Sequence, residues 1–452
     1  MHNKGHLLRA VSIVAVAAAL VGTAMPFNAT AQDSNPKAAQ DLGPIKGEIR
    51  FSWWGSQARN EKTDKILQLF EAENPGVHVV REQGDFGPHF DKLTIQSAAG
   101  NQPCTIQMQT RYLATFAKPN VLLPLDDLMA KGAFKVDGIA QPILDSAKGS
   151  DGHLYMIPSG VFYFALLYNK SMEEKTGIPM LADSYTWTQF ADWLHQVKAK
   201  LPPGVNATHN MGRETDAFVT WVQSHGYKLF DGAKVSFPAS VAADWFNYWE
   251  KLRKDGVTDS PEMSVEDNGS LVEESQIAQG HTMLTNRPPN RLDSHQAVLD
   301  KAMPGEKLGI WPYPTGDDGT TGMDLGANGI AIGATCAADL IPASVAWINF
   351  FTEDPRAAEI YQSDNGAVAI DRFQTAQMNN PKTSPGQKEH LALFQKVAST
   401  AKPVAWPAGG YAAVTDTIAR AYDAVQYEQM SSDDAANQFV SELQGAITKA
   451  AK

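Results

Sequence analysis

The chain has 452 residues, enough for two or more domains. A hydrophobic fraction of 43% with 19% charged residues excludes wholesale disorder, and a formal net charge of −12 makes nucleic acid or an anionic membrane surface a poor partner. Two cysteines, Cys104 and Cys336, lack CxxC spacing and a flanking His cluster, which argues against zinc and leaves one disulfide or two buried thiols open.

The first residues carry Lys4 and Arg9, an apolar run from Ala10 to Val21, and the small residues of Ala29-Thr30-Ala31. That order predicts a secretory signal over residues 1–31, cut after Ala31, with an apolar run too short to span a membrane. No cysteine lies near the cut, which argues against lipid attachment, so a protein free in the periplasm is expected. The signal holds two basic and no acidic residues, so the mature charge is about −14. Residues 32–45, polar and proline-bearing, read as a flexible leader.

A strand–helix rhythm follows. "GEIRFSWW" is a short β-run, "NEKTDKILQLFEAENPG" an amphipathic helix stopped by Asn74-Pro75-Gly76, and "VHVVREQG" a second strand. "FGPHFDKLTIQSAAGN" is a second helix and "CTIQMQT" a third strand, which predicts βαβ units and a mainly parallel sheet. "VLLPLDDLM" reads as a turn and short helix, and the β-branched and aromatic residues of "GHLYMIPSGVFYFALLYNKSM" as strands. Helices are expected at "TWTQFADWLHQVKAK", capped by Thr186, at "DAFVTWVQSHG" and at "SVAADWFNYWEKLRKDG". "SLVEESQIAQGHTMLTN" reads as helix then strand, "KLGIWPYPTGDDGTTG" as strand then loop, and "NGIAIGAT" as a strand. "ASVAWINFFTED", "PRAAEIYQSDNG" and most of 412–449 read as helical.

HExxH, GxSxG, GxxxxGK[ST] and GxGxxG are absent, so no catalytic, metal or cofactor site is expected. Asp317-Asp318-Gly319 lacks calcium-loop spacing and reads as a solvated turn, and Asp126-Asp127 as a helix N-terminal pair. The aromatics carry more signal. Ligands on such sheets sit beyond the strands' carboxyl ends, where Trp53 and Trp54 adjoin, followed on later strands by Asp85-Phe86 and Gln109 to Tyr112. Strand alternation sends two adjacent rings to opposite sides. One can fill the core while the other, with Trp54 preferred, lies along a cleft as a platform for a sugar face.

Ten further stretches carry a resemblance: "GEIRFSWWGS", "ILQLFEAENPGVHVV", "KLTIQSAAGNQP", "ATFAKPNVLLPLDDLM", "DGHLYMIPSGVFYFALLYNKSMEEKTGIP", "TWTQFADWLHQVKAK", "IAQGHTMLTN", "LGIWPYPTG", "GIAIGATC" and "ASVAWINFFTEDPRAAEIYQSDNGAVA", with a late "PVAWPAGGYAAVTDTIARAYDAV". In this order, over about Lys46 to Ile447, the chain resembles the extracellular solute-binding proteins of bacterial ATP-binding-cassette sugar importers, the group that includes maltose-binding protein. The resemblance implies an α/β fold of two lobes, each a mainly parallel sheet flanked by helices, joined by a hinge of several crossovers. The first lobe would be 46–157 plus 311–365 and the second 158–310 plus 366–448, with crossings near Met156–Gly160, Gly309–Pro312 and Asn365–Ala369. Family members commonly carry Asp after the proline of "NQP", where this chain has Cys104; a bridge to Cys336 in the same lobe therefore stays open.

The same resemblance implies a binding protein and not an enzyme. It would close on a mono- or oligosaccharide and deliver it, as a monomer, to permease subunits in the inner membrane. The implied contacts are Trp53, Trp54, Ser56, Gln57, Asp85, Phe86, Gln109 and Arg111 from the first lobe. From the hinge and second lobe come Phe162, Tyr163, Asn210, Arg213, Asn286, Arg287, Asp324, Asn328, Trp406 and Tyr411. Planar polar groups suit paired hydroxyls and rings suit sugar faces. The arginines Arg111, Arg213, Arg287 and Arg291 keep an acidic sugar, a uronate or a sulfonated one, in play behind a neutral one, because a guanidinium fork matches a carboxylate, sulfonate or phosphate; a polyol is the other alternative. A glycan-processing enzyme, which would need two cleft carboxylates about 5–10 Å apart, is the more distant alternative.

Overall fold

The computed structural model describes residues 41–118, 120–268 and 271–451. The expected signal segment and most of the leader lie outside them. Among the described residues eleven strands form three sheets: β1 Gly47–Trp54, β2 Val77–Gly84, β3 Thr105–Gln109, β4 Met156–Tyr163, β5 Ala165–Asn169, β6 Phe230–Asp231, β7 Lys234–Val235, β8 Leu284–Arg287, β9 Leu308–Trp311, β10 Leu325–Ile332 and β11 Ala367–Val368. The larger sheet has the order β11-β4-β10-β3-β1-β2, the second the order β8-β5-β9, and β6 and β7 form a small hairpin.

The first sheet follows from its sequence. Ser56 accepts a hydrogen bond from the Arg59 backbone N–H and starts the helix Gln57–Glu73, and the Asn74 side chain donates to the Phe70 carbonyl at 2.9 Å to end it. Ile66, Leu67 and Phe70 recur at helical spacing and are buried against the sheet. Phe51 and Trp53, two residues apart on one face of β1, stack at 5.1 Å, and Trp347 of the helix Ile341–Glu353 meets Phe51 at 5.2 Å and Phe70 at 5.3 Å. Each such ring taken out of water contributes about 1.5–3 kcal/mol.

A second hydrophobic core surrounds β8-β5-β9 and the helices Trp187–Lys198, Thr215–Ser224, Ala239–Lys254, Pro385–Val397, Gly410–Gln426 and Ser432–Ala450. Thr186 and Gln189 form a reciprocal capping box at the first of these helices. Seven of the ten tryptophans lie in this core and the other three in the first, so tryptophan here is chiefly a core residue. The two cores and two sheets make a two-lobe α/β fold. Among the described residues no helix is long and apolar enough to cross a membrane.

Two expectations change. Only β2-β1-β3 is parallel; β10 runs antiparallel to both β3 and β4, β11 runs antiparallel to β4, and β5 runs antiparallel to β8 and β9. A helical crossover makes neighbouring strands parallel, but β10 enters the first sheet directly from β9 of the other one, without such a crossover, and β11 reaches the far side of β4 from β10 through the helices Ile341–Glu353 and Pro355–Tyr361, so β10 and β11 both oppose β4. The helix expected before β8 shrinks to a 3-10 turn at Val272–Glu274. The Gln276 backbone N–H donates to the Asp267 carboxylate at 2.9 Å, a side-chain acceptor that competes with the helical carbonyl.

The chain changes sheets where its backbone approaches most closely. Between β4 and β5 only Phe164 intervenes. A Cβ on Gly160 would lie 2.5 Å from the Asn365 carbonyl oxygen, and Gly366, at φ +91°, would place one 2.4 Å from the Val161 carbonyl oxygen. Only glycine lets these strands pass at this spacing.

Cys104 and Cys336 form a disulfide. Thr105 pairs with Ile332 in the β3–β10 ladder, and the Gly333 N–H donates to the Cys104 carbonyl, so both cysteines leave adjacent strands at the same edge. A bridge across a sequence separation of 232 restricts the unfolded chain by about 5 kcal/mol on the chain-entropy account. The double variant Cys104→Ser/Cys336→Ser is expected to lose about 3–5 kcal/mol in urea unfolding; an unchanged midpoint would remove the bridge as a source of stability.

Buried His209 in the second core adds a pH dependence. Its Nδ1 lies 2.7 Å from Asp259 and 3.6 Å from Asp267, and its Nε2 lies 3.4 Å from Glu214. Burial alone would lower its pKa; the Asp259 charge and hydrogen bond, then Glu214 and Asp267, outweigh that and raise it to about 10. A raised folded pKa gives stability that is complete below about 6.5, the unfolded value, and lost as pH rises through about 10. The urea midpoint is expected to fall from pH 7 to pH 10, and His209→Gln to flatten that slope; equal slopes for both proteins would refute the assignment.

Candidate functional site

The carboxyl end of β3 runs into the helix Thr110–Phe116, whose first turn carries Arg111. Its guanidinium is buried between elements of both cores. It pairs with Asp216, at the start of Thr215–Ser224, and lies 3.6 Å from Asp324, just before β10. Three rings surround the same group, with centroids 4.4 Å away for Phe162, 5.0 Å for Phe164 and 4.6 Å for Tyr411. Burial raises both carboxyls to about 6, against the lowering pull of Arg111. Burial would lower the guanidinium, but Asp216, then Tyr411 and Asp324, outweigh it and hold Arg111 charged.

Beside it a row of amides crosses the first sheet. Gln109 donates from Nε2 to the Asn328 side-chain oxygen at 2.8 Å, and Asn328 donates to the Asn365 carbonyl at 2.9 Å. The Gly409 N–H donates to the Thr115 hydroxyl at 2.9 Å, tying the late loop to Thr110–Phe116. Gln109 Oε1, Arg111 Nε, Asp324 Oδ2, Asn365 Nδ2 and Trp406 Nε1 are buried without a hydrogen-bond partner. Such atoms cost about 1–3 kcal/mol each when left unpaired, and five of them near one junction form an array that can bond a polyhydroxylated guest.

Rings continue the site outward. Trp54 meets Phe90 at 5.6 Å, Phe90 stacks on Tyr112 at 3.8 Å, Tyr112 meets Tyr411 at 5.7 Å, and Tyr411 meets Trp406 at 5.3 Å. The two tryptophans of β1 separate as alternation requires. Trp53 is 0% exposed and donates from Nε1 to Asn60 at 2.9 Å, inside the first core. Trp54, 4% exposed, faces the other side against Phe86, His89 and Phe90.

Of the residues singled out from sequence, the fold brings together Gln109, Arg111, Phe162, Asp324, Asn328, Trp406 and Tyr411, with Trp54 and half-buried Phe86 at the end of the ring series. Ser56 caps its helix, Gln57 is exposed and donates to Glu61, and exposed Asp85 precedes the helix Phe86–Ala98. Others lie in second-core contacts. Tyr163 donates to the His390 carbonyl at 2.8 Å. Asn210 bonds the Tyr422 hydroxyl at 2.9 Å, and Asp259 accepts from its backbone N–H. Arg213 pairs with Asp423 at 3.1 Å, Arg287 with Asp267 at 2.8 Å, and Asn286 accepts from the Tyr313 hydroxyl.

Sequence reasoning missed Asp216, Phe164 and Asn365 as contacts, and placed Tyr112 at the ligand edge without counting it among them. A signal existed for Asp216: it is the one charge in "TDAFVTWVQS", a helix buried along its whole length. Among the described residues no group of three or more His, Cys, Asp or Glu side chains is arranged to hold a metal ion.

The model of the bacterial extracellular solute-binding proteins matches residues 65–382. A Brucella abortus protein named as a binding protein is 30% identical over 136 residues, 29% of this chain and 32% of its own. The sn-glycerol-3-phosphate-binding periplasmic protein of Escherichia coli K12 is 24% identical over 197 residues, 42% of this chain and 43% of its own. The chain thus spans between about a third and a half of the length of these curated relatives. Among solved structures, a periplasmic oligogalacturonide-binding protein from Yersinia enterocolitica, in complex with saturated digalacturonic acid, superposes with a TM-score of 0.76. Its identity is 18%, covering 90% of this chain and all of that one.

Proposed function

We propose that this chain, which belongs to the bacterial extracellular solute-binding proteins, takes up a carbohydrate between its two lobes in the periplasm and presents it to an ATP-binding-cassette permease. The observation that carries this reading is the convergence of both lobes on one buried polar array lined by rings. Gln109, Asp324, Asn328 and Asn365 supply planar donors and acceptors, and Tyr112, Tyr411, Trp406 and Trp54 supply flat faces. That combination suits hydroxyls and C–H-rich sugar faces. No side chain is assigned a catalytic role, and the protein acts as a monomer.

The first lobe is 46–157 plus 311–365 and the second 158–310 plus 366–448. The β4-to-β5 run, the β9-to-β10 connection and β11 serve as the hinge, an assignment supported by the change of sheet at the first two and by the passage from β11 into the helices of the second core. Arg111 and Asp216 act as a latch, because their ion pair joins a helix of one lobe to a helix of the other. Solute entry requires this pair to separate, and the solute's own contacts to both lobes restore closure.

In Asp216→Asn the latch loses its charge. The ligand-free protein is expected to show a larger radius of gyration by small-angle scattering, with unchanged circular dichroism; an unchanged radius would sink the latch. A thermal-shift screen over neutral sugars, uronates, sugar phosphates and polyols is expected to raise the melting temperature with at least one carbohydrate, and Trp54→Ala to weaken that binding about tenfold. No shift with any compound would overturn the solute-binding reading for carbohydrates, and full affinity in Trp54→Ala would return that ring to a packing role.

A further inference from the structure

Arg291 differs from every other described arginine. Arg50, Arg59, Arg81, Arg111, Arg213, Arg253, Arg287, Arg356, Arg372 and Arg420 each have a carboxylate within 4 Å. Arg291 has none among the described residues; its backbone N–H and carbonyl are engaged locally, and its side chain is exposed.

Its position is set by rigid chain. β8 ends at Arg287, Pro288 and Pro289 follow, and the 3-10 turn Pro289–Arg291 leads into the helix Leu292–Ala302. The adjacent Asn290 side chain donates to the Asp364 carbonyl oxygen, which also accepts from Arg59 at 2.8 Å. Arg59 belongs to the helix that follows the carboxyl end of β1. The turn bearing Arg291 therefore meets the facing edge of the other lobe, at the carboxyl ends of strands from both sheets.

The neighbourhood is electropositive. Arg59 and Lys62 share the single carboxylate of Asp364, Arg287 is held by Asp267, and Arg291 adds a cation with no carboxylate within 4 Å among the described residues. His295, whose Nδ1 bonds the Arg291 carbonyl at 2.9 Å, is driven down to about 4 by burial and adds no charge at neutral pH.

We propose that Arg291 is the specificity residue that recognises an anionic group, a carboxylate or a phosphate, on the solute, so that the carbohydrate is an acidic one. The proposal rests on the solute-binding reading above. Arg111, Arg213 and Arg287 already spend their forks on carboxylates of this chain, whereas Arg291 presents five N–H donors to solvent at the lobe edge.

The test measures calorimetric affinity for a panel of galacturonate, digalacturonate, glucose 6-phosphate and glycerol 3-phosphate, each beside its uncharged counterpart. The wild-type protein is expected to prefer at least one anionic member tenfold or more over that counterpart, and the uronate and phosphate arms identify which anion is read. Arg291→Gln is expected to weaken that binding at least tenfold while leaving the melting temperature of the free protein unchanged, and Arg291→Lys to recover part of it. Binding confined to neutral members, or undiminished anion binding in Arg291→Gln, overturns the proposal while leaving the receptor reading intact. No binding by either set overturns both.

Discussion

A guanidinium taken out of water is tolerable only where charge and hydrogen bonds replace the lost solvent, and Arg111 is met on every side by such groups. Asp216 arrives from a helix of the second core, Asp324 from the segment leading into β10, and Phe162, Phe164 and Tyr411 from the sheet junction and the late helix. No element could shift alone without stranding a buried charge. The amide row of Gln109, Asn328 and Asn365 lies beside this cation and ties β3, β10 and the approach to β11 together.

The same logic organises the rest of the charge. An acidic chain neutralises its arginines with its own carboxylates, often across elements far apart in sequence, as Arg59 does with Asp364 and Arg213 with Asp423. Asp364 is the junction at the outer edge: its carboxylate holds Arg59 and Lys62, and its carbonyl holds Asn290 from the opposite lobe. Among the described residues Arg291 stands at that junction without a carboxylate within 4 Å, unlike the arginines already committed to structure.

Much of the fold was legible because its signals are local. The alternation of "GEIRFSWW", the Ser56 cap, the Asn74 stop and the Thr186 capping box each act within a few residues, and each element forms where those signals place it. The parallel core β2-β1-β3 follows from its helical crossovers. Orientation differs from the expectation where β10 joins the first sheet from the other lobe, because no local pattern records the path between lobes. The segment at 272–282 was misread as helix because a distant carboxylate, Asp267, captured one of its amides.

By itself the sequence determined the family, the two-lobed α/β class, and the rule that Trp53 and Trp54 point to opposite sides. Only the tertiary structure decided that both tryptophans are covered, that Cys104 and Cys336 are bonded, and which of the described arginines has no carboxylate within 4 Å. Helix caps and strand faces depend on neighbours a few residues away, whereas pairing across 105 residues, as between Arg111 and Asp216, depends on where the whole chain folds back. Residue type shows that a charge must be compensated; only proximity in space shows by whom.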